Sequence, residues 1–177
     1  FVTNAMAEPT KKVLIIAFGP ADSGIYSNIS LEQGSGTTSL IVDGEDVVLH
    51  VTGDMYLGQS CEITITPGST LTIYLEGDLF AGNSSGIDNQ TENPKNSMLF
   101  GIGENQTFDL KAKSQWYGCI YAPDADISIK AGSSIYGSFI GANFENKSGG
   151  FIYYDAALQD VSTTDIAVRF VVDRWQE

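Results

Sequence analysis

The chain has little of what most catalytic and metal centres are built from. It contains one histidine and two cysteines in 177 residues. A zinc site, which needs several Cys or His ligands at defined spacing, has no ligand set here. No G-x-S-x-G nucleophile turn accompanies His50, so a Ser-His-acid triad has no support either. Cations are scarce: nine Lys and Arg stand against 22 Asp and Glu, giving a net charge of −13 and a pI near 4.2. That balance repels a phosphate backbone and argues against a nucleic-acid partner. Long apolar runs are missing as well. The longest, Val13 to Phe18, falls well short of the about 18 residues that a membrane-spanning helix requires, so no span is expected. The opening FVTNAMAEPTKK lacks the charged-then-apolar order of a secretion signal, and any such signal is expected to have been removed.

What the chain does have is glycine, aromatics and apolar residues. Nineteen Gly, eight Tyr and nine Phe, with 42% apolar residues overall, point to a packed core made of strands joined by tight turns. No segment reads as a strong amphipathic helix. Cys61 and Cys119 each sit in a strand-like run, where a thiol behaves as a small buried hydrophobe. Free buried thiols are the expectation, with a disulfide left open.

The sequence repeats itself. Laying 39–60 over 63–84, an offset of 24, superposes Gly44 on Gly68, Gly53 on Gly77, Asp54 on Asp78 and Gly58 on Gly82. Val47, Leu49, Val51 and Met55 fall on Leu71, Ile73, Leu75 and Leu79, which is the period of a strand with one apolar face. At an offset of 19, Lys111, Ala112, Ser114, Tyr117 and Gly118 match Lys130, Ala131, Ser133, Tyr136 and Gly137. At 17, Asp126, Ile127, Ile135 and Tyr136 meet Asn143, Phe144, Ile152 and Tyr153. Units of this size, with short alternating strands and Gly or Asn corners, suit the stacked coils of a parallel β-helix. An antiparallel sandwich competes, but its strands need not repeat their neighbours' residue types at fixed spacing. The expected fold is therefore all-β, a parallel β-helix or solenoid forming a single domain over 1–177.

Such a solenoid needs its ends covered. Residues 1–24 are expected to be an N-terminal cap or leader remnant, with Lys12 to Phe18 as a capping strand. Coils occupy 25–158, and 159–177 supply a C-terminal capping strand through Ile166, Val168, Phe170 and Val172. The polar stretch GNSSGIDNQTENPKNS (82–97) is expected to be a loop insertion at a coil corner, and it is the leading candidate for an interaction site.

Several segments resemble a known family. Tyr117-Gly-Cys-Ile-Tyr-Ala-Pro-Asp-Ala-Asp126, the Ile135-Tyr-Gly-Ser-Phe-Ile-Gly141 coil and the Tyr154-Asp-Ala-Ala-Leu158 ending are similar to an uncharacterised bacterial domain. That domain is found behind the pilin-like N-termini of PilX-type minor pilus subunits and in other secreted surface proteins, many from Planctomycetes. The resemblance covers about Ser23 to Leu158. It implies a right-handed β-helix outside the cytoplasm, extracellular or at the cell surface, with protein partners there or on a pilus and no established enzymatic activity. No apolar pilin helix like that of the attached members is found in these 177 residues, so the expectation is either that a leader and anchor were cut away or that this version is freely secreted.

Candidate chemistry is thin. Asp54 and Asp78 could stack on successive coils as a hydrolytic pair, but each follows Gly in a turn, where Asp bonds its own backbone. Asp88, Asn89 and Glu92 in the 82–97 stretch supply polar contacts and hard oxygen ligands, yet no ordered calcium motif accompanies them, so neither a metal nor a cofactor is expected. Trp116, Tyr117, Tyr121, Tyr136, Tyr153 and Tyr154 lie in repeat register. An internal stack is the favoured reading; an exposed row, with Trp116 and Tyr121 foremost, would bind sugar rings or another protein. Five Asn-x-Ser/Thr sequons begin at Asn28, Asn83, Asn89, Asn105 and Asn146, read as corner chemistry ahead of glycosylation. The functional expectation is a non-enzymatic structural or interaction domain. A carbohydrate-binding or, less readily, carbohydrate-cleaving module and a bactofilin-like polymer-forming scaffold are the alternatives.

Overall fold

A computed structural model describes residues 14–33, 38–147 and 149–159. Nearly all of them are strand or turn, and the helical content is three short 3-10 segments. Among the described residues no helix is long and apolar enough to cross a membrane. The expected strand at 166–172 lies outside the described residues.

Fifteen strands form one parallel sheet that curls on itself. They run β1 Leu14–Phe18, β2 Gly24–Tyr26, β3 Ile29–Leu31, β4 Thr38–Val42, β5 Val47–Val51, β6 Met55–Leu57, β7 Glu62–Ile65 and β8 Leu71–Leu75. They continue as β9 Leu79–Ala81, β10 Gly86–Asn89, β11 Ser97–Gly101, β12 Thr107–Leu110, β13 Gln115–Ile129, β14 Ser134–Asn146 and β15 Phe151–Tyr153. Every strand pair is parallel, and pairing advances by three strands at a time: β1 with β4, β2 with β5, β3 with β6, and so onward. The result is three runs of strands. The first is β1-β4-β7-β10, the second β2-β5-β8-β11 and the third β3-β6-β9-β12. β13 and β14 each pass through all three runs in one continuous strand. This is the pairing of a parallel solenoid, and an antiparallel sandwich is excluded.

The repeat offsets read from the sequence are the registers of the sheet. Val47, Leu49 and Val51 pair with Leu71, Ile73 and Leu75. Tyr117 and Gly118 pair with Tyr136 and Gly137, and Asp126 pairs with Asn143. The Gly77 N–H donates to the Gly53 carbonyl at 3.0 Å. One stretch slips: Ser39 pairs with Glu62 and Leu40 with Ile63, an offset of 23, and past this strand pair the Gly44 carbonyl accepts from the Thr70 N–H and not from Gly68.

Alternation within each strand sends one set of side chains inward. Leu40, Ile63, Ile87, Trp116 and Ile135 lie directly above one another in the first run and are all buried. Leu49, Ile73, Leu99 and Ile120 do the same in the second, and Met55, Leu79, Phe108 and Ile127 in the third. The three columns meet in one core. Glycines serve the corners where windings touch. Gly137 has φ +140 and its missing Cβ would strike the Gly118 carbonyl, while Gly86, at φ +147, would strike that of Gln115.

Two expectations change. The 82–97 stretch is not a structureless loop: Gly86–Asn89 is β10, set in register between β7 and β13, and Pro94–Asn96 is a 3-10 turn. Its apolar content is one residue, the buried Ile87, so alternation could not announce it. Lys12 to Phe18 contains β1, which takes a regular place in the first run beside β4. Cys61 and Cys119 are both free and buried, and burial raises the pKa of each thiol.

Because the inward columns carry the fold, truncating one member is costly while its outward neighbour is not. Ile73→Ala is expected to lose about 2–5 kcal/mol in urea unfolding, against roughly 0.5 kcal/mol or less for Thr72→Ala. Equal losses at the two sites would contradict the inward assignment.

Candidate functional site: outward aromatic columns and an acidic corner

The same alternation that buries one column turns the next residue out, and the outward positions also stack from winding to winding. In the first run Tyr117, Tyr136 and Tyr153 are in register. The Tyr136 and Tyr153 rings lie 4.8 Å apart at 10°, and Tyr117 sits 5.7 Å from Tyr136. The Tyr117 hydroxyl donates to Asp155 Oδ2 at 3.2 Å; burial and then that carboxylate raise its pKa. In the second run Tyr74 stacks on Phe100 at 5.2 Å and 17°, and Phe100 meets Tyr121 edge-on at 6.3 Å. In the third, Tyr56 and Phe80 stack at 4.9 Å and 5°, with Lys111 Nζ over the Phe80 ring at 5.2 Å. The expected internal aromatic stack is therefore replaced by three external ones. Of the six aromatics in repeat register, Trp116 is the one that goes inside, where its Nε1 has no hydrogen-bond partner. Phase decides this: Tyr117 is one residue past the inward Trp116, as Tyr136 is past Ile135.

The five residues singled out in the sequence separate accordingly. Trp116 and Asn89 are core residues at 0% and 2% exposure and offer nothing to a surface ligand. Asn89 accepts from the Thr91 N–H and hydroxyl, and its amide donates to the Asn93 carbonyl at 2.8 Å; its sequon is inaccessible. Asp88 faces outward in the first run, where its Oδ2 accepts from the Gln90 amide at 2.9 Å. Glu92 is exposed at the turn between the first and second runs. Tyr121 belongs to the second-run column, half-buried.

Charge is sorted by corner. The corner between the second and third runs carries the exposed carboxylates of Asp54, Glu76, Asp78, Glu104, Asp124 and Asp126, with no Lys or Arg among residues 52–54, 76–78, 102–106 and 123–126. The Asp54 and Asp78 carboxylates are corner ties. The Asp54 N–H donates to Asn28 Oδ1 at 2.8 Å, the Asp78 N–H to Asp54 Oδ1 at 2.9 Å, and the Thr107 N–H to Asp78 Oδ1 at 2.7 Å. Each side chain thus fastens the next winding. Gln106, which the sequence did not flag, does similar work from inside: buried, it donates through Nε2 to the Leu75 carbonyl at 3.0 Å and to Gly77. A groove of about 530 Å³ lined by Glu104, Asn105, Asp124, Asp126, Ala142 and Asn143 opens at this corner. His50 Nε2 lies 2.7 Å from Glu76 Oε1.

Four of the five lysines among the described residues collect elsewhere, at the corner leading from the third run back to the first: Lys111, Lys113, Lys130 and Lys147, with Lys95 at the turn between the first and second runs. Asp109 sits among them. It accepts from Lys111, from Lys130 at 3.4 Å and from Ser128 at 3.0 Å. A smaller cavity of about 310 Å³ lies beside this corner, between Glu62, Ser84, Gly86, Lys113 and Gln115; burial and the nearby Asp88 raise the Glu62 pKa. Among the described residues no group of three or more His, Cys, Asp or Glu could hold a metal ion.

Residues 19–161 match a family described as Domain of unknown function (DUF7305). The chain belongs to that family. The match takes in the described windings from Gly19 onward, so every strand after β1, the aromatic columns and both charged corners lie within the DUF7305 domain. No curated protein and no solved structure matches the chain. Of the resemblance read in the sequence, the family match supports an uncharacterised domain and carries nothing about pili or source.

Asp109 gives this domain a pH dependence with a definite sign. Burial alone would raise its pKa, but the Lys111 and Ser128 hydrogen bonds and the two ammonium charges outweigh it and hold the carboxyl below its usual value. Its contribution is therefore present above the ordinary carboxylate pKa and is lost as pH falls through the lowered one. Asp109→Asn is expected to cost about 1 kcal/mol at pH 7 and progressively less towards pH 3, measured by urea unfolding at both; a cost that grows on acidification would overturn this.

Proposed function

We propose that this DUF7305 domain is a non-enzymatic structural and interaction element displayed outside the cytoplasm, at the cell surface or in association with a pilus, where it meets protein partners. The observation that carries the proposal is the division of labour between the two sides of the sheet. The inward columns are buried from β4 to the start of β14, and aromatic and charged side chains are set out in rows along the exterior. A rod that offers rows suits display and contact. The stacked rings favour protein over glycan as the partner. Sugars dock on an aromatic face, and Tyr136 with Tyr153, Tyr74 with Phe100, and Tyr56 with Phe80 turn their faces on each other.

The finer architecture we propose is a right-handed β-helix closed at both ends by terminal segments. Phe144 and Ile152 continue inward columns, pairing with Ile127 and Ile135, yet they are 44% and 48% exposed. An end like this calls for a cover, and the strand expected in 159–177 is the cover we assign to it.

Two measurements test these proposals. Antibody raised to the domain is expected to label intact cells of the producing organism; antigen detected only after lysis would overturn surface display. Removing residues 160–177 is expected to raise binding of an apolar dye such as ANS and to lower the unfolding midpoint by several degrees, in line with uncovering two large apolar side chains. Unchanged dye binding and midpoint would remove the assigned cover.

A further inference from the structure

The second run has an outward column that continues from winding to winding along its length. Ile25, His50, Tyr74, Phe100, Tyr121 and Ile140 pair in register through β2, β5, β8, β11, β13 and β14. Ile25 is 74% exposed, and Tyr74 and Ile140 are exposed as well. An outward column of apolar and aromatic residues at successive strand spacings is not needed by the core, which lies on the opposite side of the sheet. Large apolar side chains gathered in one exposed band mark contact surfaces. The six-carboxylate corner follows the second run in the chain, and Glu104, Asp124 and Asp126 of that corner line its groove of about 530 Å³. Apolar residues bordered by a charged rim are the anatomy of a protein-binding face.

The charge selects the occupant. A second copy of this chain brings another −13 and is repelled. Among the described residues, three of the four lysines at its lysine-rich corner already pair with this chain's own carboxylates, Lys111 and Lys130 with Asp109 and Lys147 with Glu145. A glycan would need an open ring face, and the Tyr74–Phe100 stack presents edges. We infer that the second-run face and its acidic corner bind a basic polypeptide segment, whose apolar side chains lie on the Tyr74–Phe100–Tyr121 column and whose Lys or Arg side chains reach Glu104, Asp124 and their neighbours. This rests on the interaction-module proposal and names the chemistry of its partner.

Fluorescein-labelled octapeptides of alternating Lys and Leu, or of alternating Glu and Leu, are titrated into the full chain by anisotropy, with cellohexaose as an unlabelled competitor. Two charge-matched double variants are compared, and both replace exposed carboxylates only. Glu104→Gln/Asp124→Asn alters the acidic corner, and Glu32→Gln/Glu145→Gln alters residues away from it. The Lys-Leu peptide is expected to bind, to weaken as salt rises, and to lose about five-fold in affinity with the corner variant, while the second variant leaves it unchanged. Tyr74→Ser is expected to weaken it further at unchanged salt dependence. Equal losses in the two double variants, equal binding of the Glu-Leu peptide, no binding of either peptide, or displacement by cellohexaose would each overturn the inference. Location is read separately: peptide selectivity with unlabelled intact cells would discard surface display and keep the binding face.

Discussion

Stacking of inward side chains from one winding to the next is the constraint on which everything else depends. A single winding here offers three short strands, too few to bury a core. Placing Leu40, Ile63, Ile87, Trp116 and Ile135 over one another joins five windings into one continuous interior. Parallel register follows as a condition of that stacking: a shift by one residue would turn each apolar side chain of a strand to the outside. The backbone then repeats at the strand spacing of roughly 4.8 Å, and every position outside the core inherits the same repeat.

The exterior is a consequence of that inheritance. Residues placed outward at equivalent positions become neighbours, so aromatics spaced 17 to 26 residues apart in the chain come to lie ring on ring. The same holds for charge. Carboxylates at one corner and ammonium groups at another line up along the rod, and a chain with a uniform acidic excess in composition becomes polar in cross-section. Some of this stacking is structural: Asn28, Asp54 and Asp78 each hand a side-chain oxygen to the backbone of the next winding. The remainder is surface that the fold does not consume.

Much of the winding was legible because each repeat had to satisfy the same packing. Gly53 over Gly77, Leu49 over Ile73 and Tyr117 over Tyr136 repeat at fixed offsets; the last two are cross-strand pairs in the sheet, and the glycines are joined by a backbone hydrogen bond at the corner. β10 was not legible. Its Gly-Ile-Asp-Asn carries one apolar side chain, and its buried Asn89 is held by Thr91 and Asn93, a local network that mimics loop composition. The direction of the aromatics is not legible either, for a related reason. Register places Tyr136 over Tyr117, but only the phase relative to Trp116 says which way the pair points. Gln106 left no signal at all, because its partners are backbone carbonyls of a winding about thirty residues earlier.

The sequence by itself determined that this protein repeats, which residues lie over which, and that strands and corners alternate, since periodic side-chain identity is written in the chain wherever like must pack on like. Tertiary structure decided which side of the sheet each column faces, that a polar tetrapeptide fills a place in the winding, and that acids and lysines part to different corners. Those outcomes depend on the phase of each strand against the common core and on the angle turned at each corner, quantities that exist only once the windings have closed on one another.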